Sequence, residues 1–205
     1  ILDLGSSVSD MTMSWTPSGV NTGNGETPYS TTNMVAQWNF NETSGTTAIS
    51  GGTCGTSCNG TLTNFASTGS QDAAAGTGWT ANNKRWGAGA LMFDGNNDYV
   101  VVNHSTALSI TSALTVETWI KPSSYTASNY NHILDKDSSY ALSLYNGKPS
   151  LYLLNAGGWW SPSVATLDMF KWYHLVATYD GTVKKMFLNG TLIAEQNQTG
   201  LIGTS

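Results

Sequence analysis

Charge is what this chain has least of. Only 10% of its 205 residues are Asp, Glu, Lys or Arg, against about a quarter in an average soluble domain. Arg85 is the only arginine, the lysines are dispersed, and the net charge is −5. A nucleic-acid surface needs clustered basic side chains to displace counterions from phosphates, so no nucleic-acid partner is expected. Long solvent-facing helices need Glu, Lys and Arg, and no segment shows a helical period. Apolar runs of membrane-spanning length are missing too, as is a signal peptide, so no membrane insertion is expected in this segment. The chain opens on Ile1 rather than Met, as expected of a processed form or a fragment.

Cysteine is almost absent. The two that occur, Cys54 and Cys58 in "TCGTSCNG", have no Cys or His pair nearby to complete a zinc set, and a redox motif would space them by two residues. The spacing suits a small disulfide pinning a glycine-rich loop in an oxidising compartment, with two free thiols as the alternative. Sequons at Asn41, Asn59, Asn103, Asn189 and Asn197 are about what chance places in a chain so rich in Ser and Thr, and carry no argument.

Glycine, Ser, Thr, Asn and aromatic residues stand in place of charge: 22 Gly, 8 Trp and 9 Tyr. Disordered chains are poor in aromatics, and short strands joined by many turns use this mixture. Strand signals run in series from Met34: "MVAQWNF", "ALMFDG", "YVVVN", "LTVETWIK", "YALSLYNGKPSLYLL" and "YHLVATYDGTVKKMFLNGTLIAEQ". "LTVETWIK" alternates cleanly, Leu114, Val116, Thr118 and Ile120 against Thr115, Glu117, Trp119 and Lys121. Asn146-Gly147, Asp180-Gly181 and Asn189-Gly190 mark turns between strands. The prediction is an all-β, two-sheet antiparallel sandwich.

Residues 1–33 differ from the rest. "DMTMSW" alternates Met11, Met13 and Trp15 against polar neighbours and reads as a half-buried strand, followed by a Gly/Thr/Pro/Asn linker. The expected organisation is therefore an N-terminal strand plus flexible linker over 1–33 and a sandwich domain over 34–205.

The ordered set "VAQWNFNETSGTTA", "NGTL", "RWGAGALMFDGNNDYVVV", "LTVETWIKP", "WYHLVATYDG" and "MFLNGTLIAE" resembles laminin-G-like, concanavalin A-like jelly-roll domains of the bacterial and archaeal branch. Domains of that kind continue past "LIG" into one further strand, which this sequence lacks. The resemblance therefore implies either truncation or a strand supplied from elsewhere, and "DMTMSW" is the candidate, in its own domain or in a neighbouring copy.

Asp94, Asn96 and Asp98 in the "FDGNND" turn sit at alternate positions, a spacing that gathers oxygens around a hard cation. The plainer reading is a hairpin whose Asp and Asn side chains cap their own backbone, with Gly95 at positive φ. The resemblance adds a structural calcium as the cofactor such domains often carry. Asp135, Asp137 and Glu42 are weaker metal candidates. Glycosidase chemistry needs a pair of carboxylates set apart across a sugar, and Glu117 stands alone in "ETW". No Gly-x-Ser-x-Gly elbow exists, and His174 in "WYHLVA" reads as a structural strand residue.

For glycan binding the sequence offers Trp159 and Trp160, read as a loop beyond a double glycine, and Tyr125 and Tyr130 in a second loop. Trp38, Trp119 and Trp172 lie in strand patterns and read as packing residues, Trp119 with partial exposure. The expected function is a non-catalytic extracellular recognition or adhesion module for glycans or surface proteins. The alternative is a structural subunit of a surface fibre or pilus, assembled by strand exchange through the N-terminal segment.

Overall fold

A computed structural model describes residues 33–137 and 139–204. The proposed assembly strand, Met11, Met13 and Trp15, lies outside the described residues. Among the described residues fifteen strands follow one another: β1 (Gln37–Trp38), β2 (Thr47–Ala48), β3 (Ser50–Gly51), β4 (Gly60–Thr63), β5 (Gly78–Thr80), β6 (Ala90–Met92), β7 (Tyr99–Val102), β8 (Leu114–Ile120), β9 (Tyr130–Lys136), β10 (Tyr140–Tyr145), β11 (Lys148–Leu153), β12 (Gly158–Trp160), β13 (Tyr173–Tyr179), β14 (Val183–Leu188) and β15 (Thr191–Asn197).

Two four-stranded antiparallel sheets dominate, in orders β12-β11-β10-β9 and β15-β14-β13-β8. Period-2 alternation decides what lies between them. Leu114 on β8, Leu142 on β10, Leu151 and Leu153 on β11, Leu175 on β13 and Met186 on β14 belong to one buried cluster. Full burial of such a side chain contributes about 1.5–3 kcal/mol, so this cluster is the main source of cohesion. A smaller cluster of Ala48, Leu62 and Trp79 serves the N-terminal strands, whose sheets are β1-β3, β2-β4-β7 and β5-β6. The all-β antiparallel expectation is met.

The connections follow the turn chemistry of the sequence. Asn146 and Gly147 (φ 50° and 72°) join β10 to β11, and Asn189 and Gly190 (φ 51° and 80°) join β14 to β15. Paired positive φ values match the twist of a two-residue hairpin, which is why Asn-Gly is favoured there. Asp180-Gly181 turns differently: Asp180 Oδ1 accepts from the backbone of Thr182 and Val183, each at 2.8 Å.

Cys54 and Cys58 form a disulfide, with Cα atoms 5.7 Å apart. Cys58 is fully buried, and its carbonyl accepts from Trp38 Nε1 at 2.9 Å, so the bridge ties its loop to β1.

Three aspartates, Asp72, Asp94 and Asp180, act as turn caps and hold their pKa below the ordinary 3.8. The principal causes are bonds from the Thr80 hydroxyl, the Asn96 backbone and the Thr182 hydroxyl respectively. The folded values are depressed, so the unfolded chain takes up protons first as pH falls. The stability these caps supply is complete above the unfolded value and is lost as pH drops through the folded ones. Calorimetric melting is expected to be insensitive to these groups above about pH 5 and to fall below about pH 4. Asp72→Asn should flatten part of that fall.

Candidate functional site

The outer face of the β15-β14-β13-β8 sheet carries an open cleft of about 540 Å³ lined by Arg85, Trp119, Trp172, His174, Asn189 and Gly190. Alternation on β8 turns Glu117 and Trp119 away from the core, and the register sets His174 of β13 directly opposite Trp119. Their rings stack at 4.9 Å and 23°. His174 Nε2 meets Glu117 Oε1 at 2.7 Å, so that carboxylate is engaged diagonally across the β8–β13 pair.

The β14–β15 turn forms one wall. Asn189 N–H donates to the His174 carbonyl at 2.8 Å, and His174 N–H donates to Asn189 Oδ1 at 3.0 Å. With Oδ1 so engaged, the Nδ2 donors of Asn189 have no partner among the described residues.

The opposite wall comes from residues 81–89, between β5 and β6. Asp72 caps the entry by accepting from the Thr80 hydroxyl at 2.6 Å and Ala81 N–H at 3.1 Å. Lys121 Nζ donates to Asn83 Oδ1 at 2.7 Å, tying the segment to the end of β8. Ala88 N–H donates to Asn41 Oδ1 at 3.0 Å at its far end. So held, the segment lays the Arg85 guanidinium over Trp86 (4.3 Å) and Trp119 (5.1 Å), while the two indoles meet edge to face at 5.8 Å. Cation–π contact of this kind positions the guanidinium without using its N–H donors in hydrogen bonds.

The residues singled out from sequence fare differently. Trp159 and Trp160 are not in a loop: they belong to β12, which pairs with β11. The double glycine supplies the turn before the strand (Gly157 and Gly158 at φ 83° and 62°) rather than a long loop. Strand alternation then sends the two indoles to opposite faces, Trp160 against the main core and Trp159 outward.

Trp159 stacks on Tyr130 at 3.7 Å and 17°. The two rings come from β12 and β9, opposite edges of the sheet and about 14 Å apart at ordinary strand spacing. They therefore reach across the two middle strands, which carry the fully buried Ser143 and Ser150. His132 Nδ1 and Ser143 Oγ are 2.9 Å apart, and Ser150 and Ser161 hydroxyls 2.7 Å apart. Tyr125 packs on the β10–β11 turn, where a Cβ at Gly147 would meet its ring, and its hydroxyl donates to the Leu167 carbonyl. The structure thus brings Tyr130 and Trp159 together and leaves Tyr125 and Trp160 in supporting positions.

Trp119, Trp172 and His174, read from sequence as structural, line the cleft instead. Trp172 lies just before β13, not within it. Strand period alone could show that Trp119 points outward with Glu117; nothing local showed that Arg85 would sit over it.

In the 94–98 turn, Asp94 Oδ1 accepts from the N–H groups of Asn96 (2.8 Å), Asn97 (3.1 Å) and Asp98 (3.3 Å), and Asp98 Oδ2 accepts from Asp94 N–H at 2.9 Å. Gly95 has φ 75°. This is the self-capped hairpin, with Asp98 Oδ1 the one buried oxygen of the turn that has no hydrogen-bond partner. Calcium takes six to eight oxygens. Among the described residues no three His, Cys, Asp or Glu side chains are grouped to hold a metal. No helix among the described residues is long and apolar enough to cross a membrane.

A search of curated proteins finds no match. The laminin-G-like family profile of the concanavalin A-like lectin/glucanases superfamily matches residues 94–205, which hold both four-stranded sheets and all of the cleft but Arg85. The match spans more than half of the chain, and the all-β antiparallel architecture agrees with it: the protein belongs to this laminin-G-like family of the concanavalin A-like superfamily.

Proposed function

We propose that the protein is an extracellular, non-catalytic recognition module that binds a saccharide in the cleft between Arg85, Trp119, Trp172, His174 and Asn189. The observation that carries this reading is the composition of the cleft: aromatic rings beside open polar donors on a rigid sheet. Sugars place their C–H faces on aromatic rings and take hydrogen bonds from amide, imidazole and guanidinium groups, so such a lining suits them. Hydrolysis needs two carboxyl groups set about 5–10 Å apart across the bond to be cut. The residues lining this cleft include no carboxylate, and nearby Glu117 is held by His174, which supports binding without catalysis. The disulfide supports an oxidising compartment and hence an extracellular location.

Trp119→Ala is expected to weaken binding of the recognised oligosaccharide about tenfold or more, since central aromatic anchors dominate such contacts. Titration calorimetry against a glycan panel, with circular dichroism to confirm the fold, measures it. Unchanged affinity in the variant would remove the cleft from consideration.

Assembly by strand exchange is the second reading, and one observation favours it. Among the described residues β8 pairs only with β13, leaving the other edge of a seven-residue strand without a partner. Such an edge is a template for an incoming strand, and "DMTMSW" has a suitable pattern. Deleting residues 1–16 should abolish oligomers in sedimentation velocity; an unaltered distribution would rule the reading out.

A further inference from the structure

We infer that the cleft is selective for a carboxylate-bearing saccharide, with Arg85 as the carboxylate receptor. This rests on the saccharide reading of the cleft and adds the charge of its ligand. Arg85 is the only arginine in a chain with net charge −5, and acidic partners are therefore not scarce. Yet it takes none: the ion pairs among the described residues are Lys171–Asp168 and His174–Glu117. Its side chain is exposed, with Cζ 4.3 Å from the Trp86 ring centre and 5.1 Å from that of Trp119, contacts that place the guanidinium without giving its N–H groups a hydrogen-bond acceptor.

A guanidinium so placed offers a carboxylate two parallel hydrogen bonds at fixed geometry, which lysine cannot reproduce. Neighbouring charge favours the same ligand. Lys84 precedes Arg85, and Lys121 is anchored within the same segment through Asn83, so three of the chain's eight basic residues gather at this wall. Glu117 and Asp72 are the opposing charges: Glu117 Oε1 is engaged by His174, and Asp72 accepts from Thr80, Ala81 and Asn82. A sugar in the cleft with its carboxylate turned toward Arg85 meets this basic wall. Neutral sugars can accept from Arg85 through a hydroxyl, but they bring neither the charge nor the paired acceptor oxygens that the guanidinium favours.

The test uses the full chain and oligosaccharides of polygalacturonate, alginate and hyaluronate, each paired with its carboxyl-reduced, uncharged form, read by titration calorimetry at fixed ionic strength. At least one uronate oligosaccharide is expected to bind, and its reduced form about tenfold or more weaker. Arg85→Gln should erase that difference, and Arg85→Lys should restore only part of it because the charge returns without the planar fork. Trp159→Ala, on the other sheet, should leave the preference intact. Equal affinity for the two forms, or a preference that survives in Arg85→Gln, overturns the inference and leaves the cleft as a saccharide site. If every acidic and neutral oligosaccharide binds with an affinity that Trp119→Ala does not change, or none binds at all, the cleft reading falls together with the inference.

Discussion

Replacing Lys184 with methionine is expected to stabilise the protein by about 2 kcal/mol, raising the melting temperature by about 5 °C. Lys184 lies on β14 between the inward-facing neighbours of the main core, opposite Tyr179 and two residues before Met186, and it is fully buried. Its ammonium reaches a single acceptor, the Gly158 carbonyl on β12, at 3.3 Å, and no carboxylate pairs with it. Burial holds its pKa below the ordinary 10.5. A lone cation in an apolar interior is costly whichever way it resolves: it keeps its charge without solvation, or it gives up its proton.

The pH dependence carries a defined sign. Because the folded pKa is depressed for a group that is charged when protonated, the unfolded chain binds the extra proton between the two values. Stability therefore rises with pH from the folded value up to about 10.5 and is reduced below that window. The difference in unfolding free energy between Lys184→Met and the parent should shrink as pH is raised from 8 to 10. A variant less stable than the parent at pH 7 would show that the amine's bond to Gly158, bridging the two sheets, outweighs its desolvation.

Gly78→Ala is expected to destabilise the protein by about 3 kcal/mol or more. Gly78 opens β5 at φ 112°, and a Cβ there would lie 1.9 Å from the Ser67 carbonyl oxygen. That neighbour is backbone, so it cannot swing aside as a side chain would. Gly76→Ala separates the two sources of cost. Its φ of 87° is also left-handed, but a Cβ there meets nothing within 4 Å, so the loss should stay near 1 kcal/mol. Equal losses in the two variants, measured by urea unfolding, would show that strain rather than collision dominates. Because β5 and β6 flank the segment bearing Arg85, Gly78→Ala should also impair the cleft, whereas Gly76→Ala should spare it.

Much of the sandwich was legible locally because a strand side chain's face is set by parity alone. Leu114 and Val116 inside, Glu117 and Trp119 outside, follow from the alternation of "LTVETWIK" and need no knowledge of the rest. The turns at Asn146-Gly147 and Asn189-Gly190 were equally local, since both need residues that accept positive φ. Where the reading failed, a segment was too short for parity to register. "GGWW" offers one step of alternation, and the two glycines outweighed it, so β12 passed for a loop.

The sequence by itself determined an all-β sandwich with few charges and favoured a disulfide-pinned loop and a self-capping aspartate turn, because strand parity and turn chemistry are set by residues a few positions apart. The tertiary structure decided which of those residues form a site. Arg85 meets Trp119, and Trp119 meets His174, only because the β8–β13 register and the docked 81–89 segment bring together positions far apart in the chain. Tyr130 and Trp159 meet only because β9 and β12 are the outer strands of one sheet, whose middle strands carry the buried Ser143 and Ser150. Which of two adjacent lysines enters the core was also decided there: Lys184 faces between the sheets and Lys185 outward, because the register with β13 sets the parity of β14. Long-range pairing leaves no periodic trace in any one segment, so the fold could be read from the string of residues while the site could not.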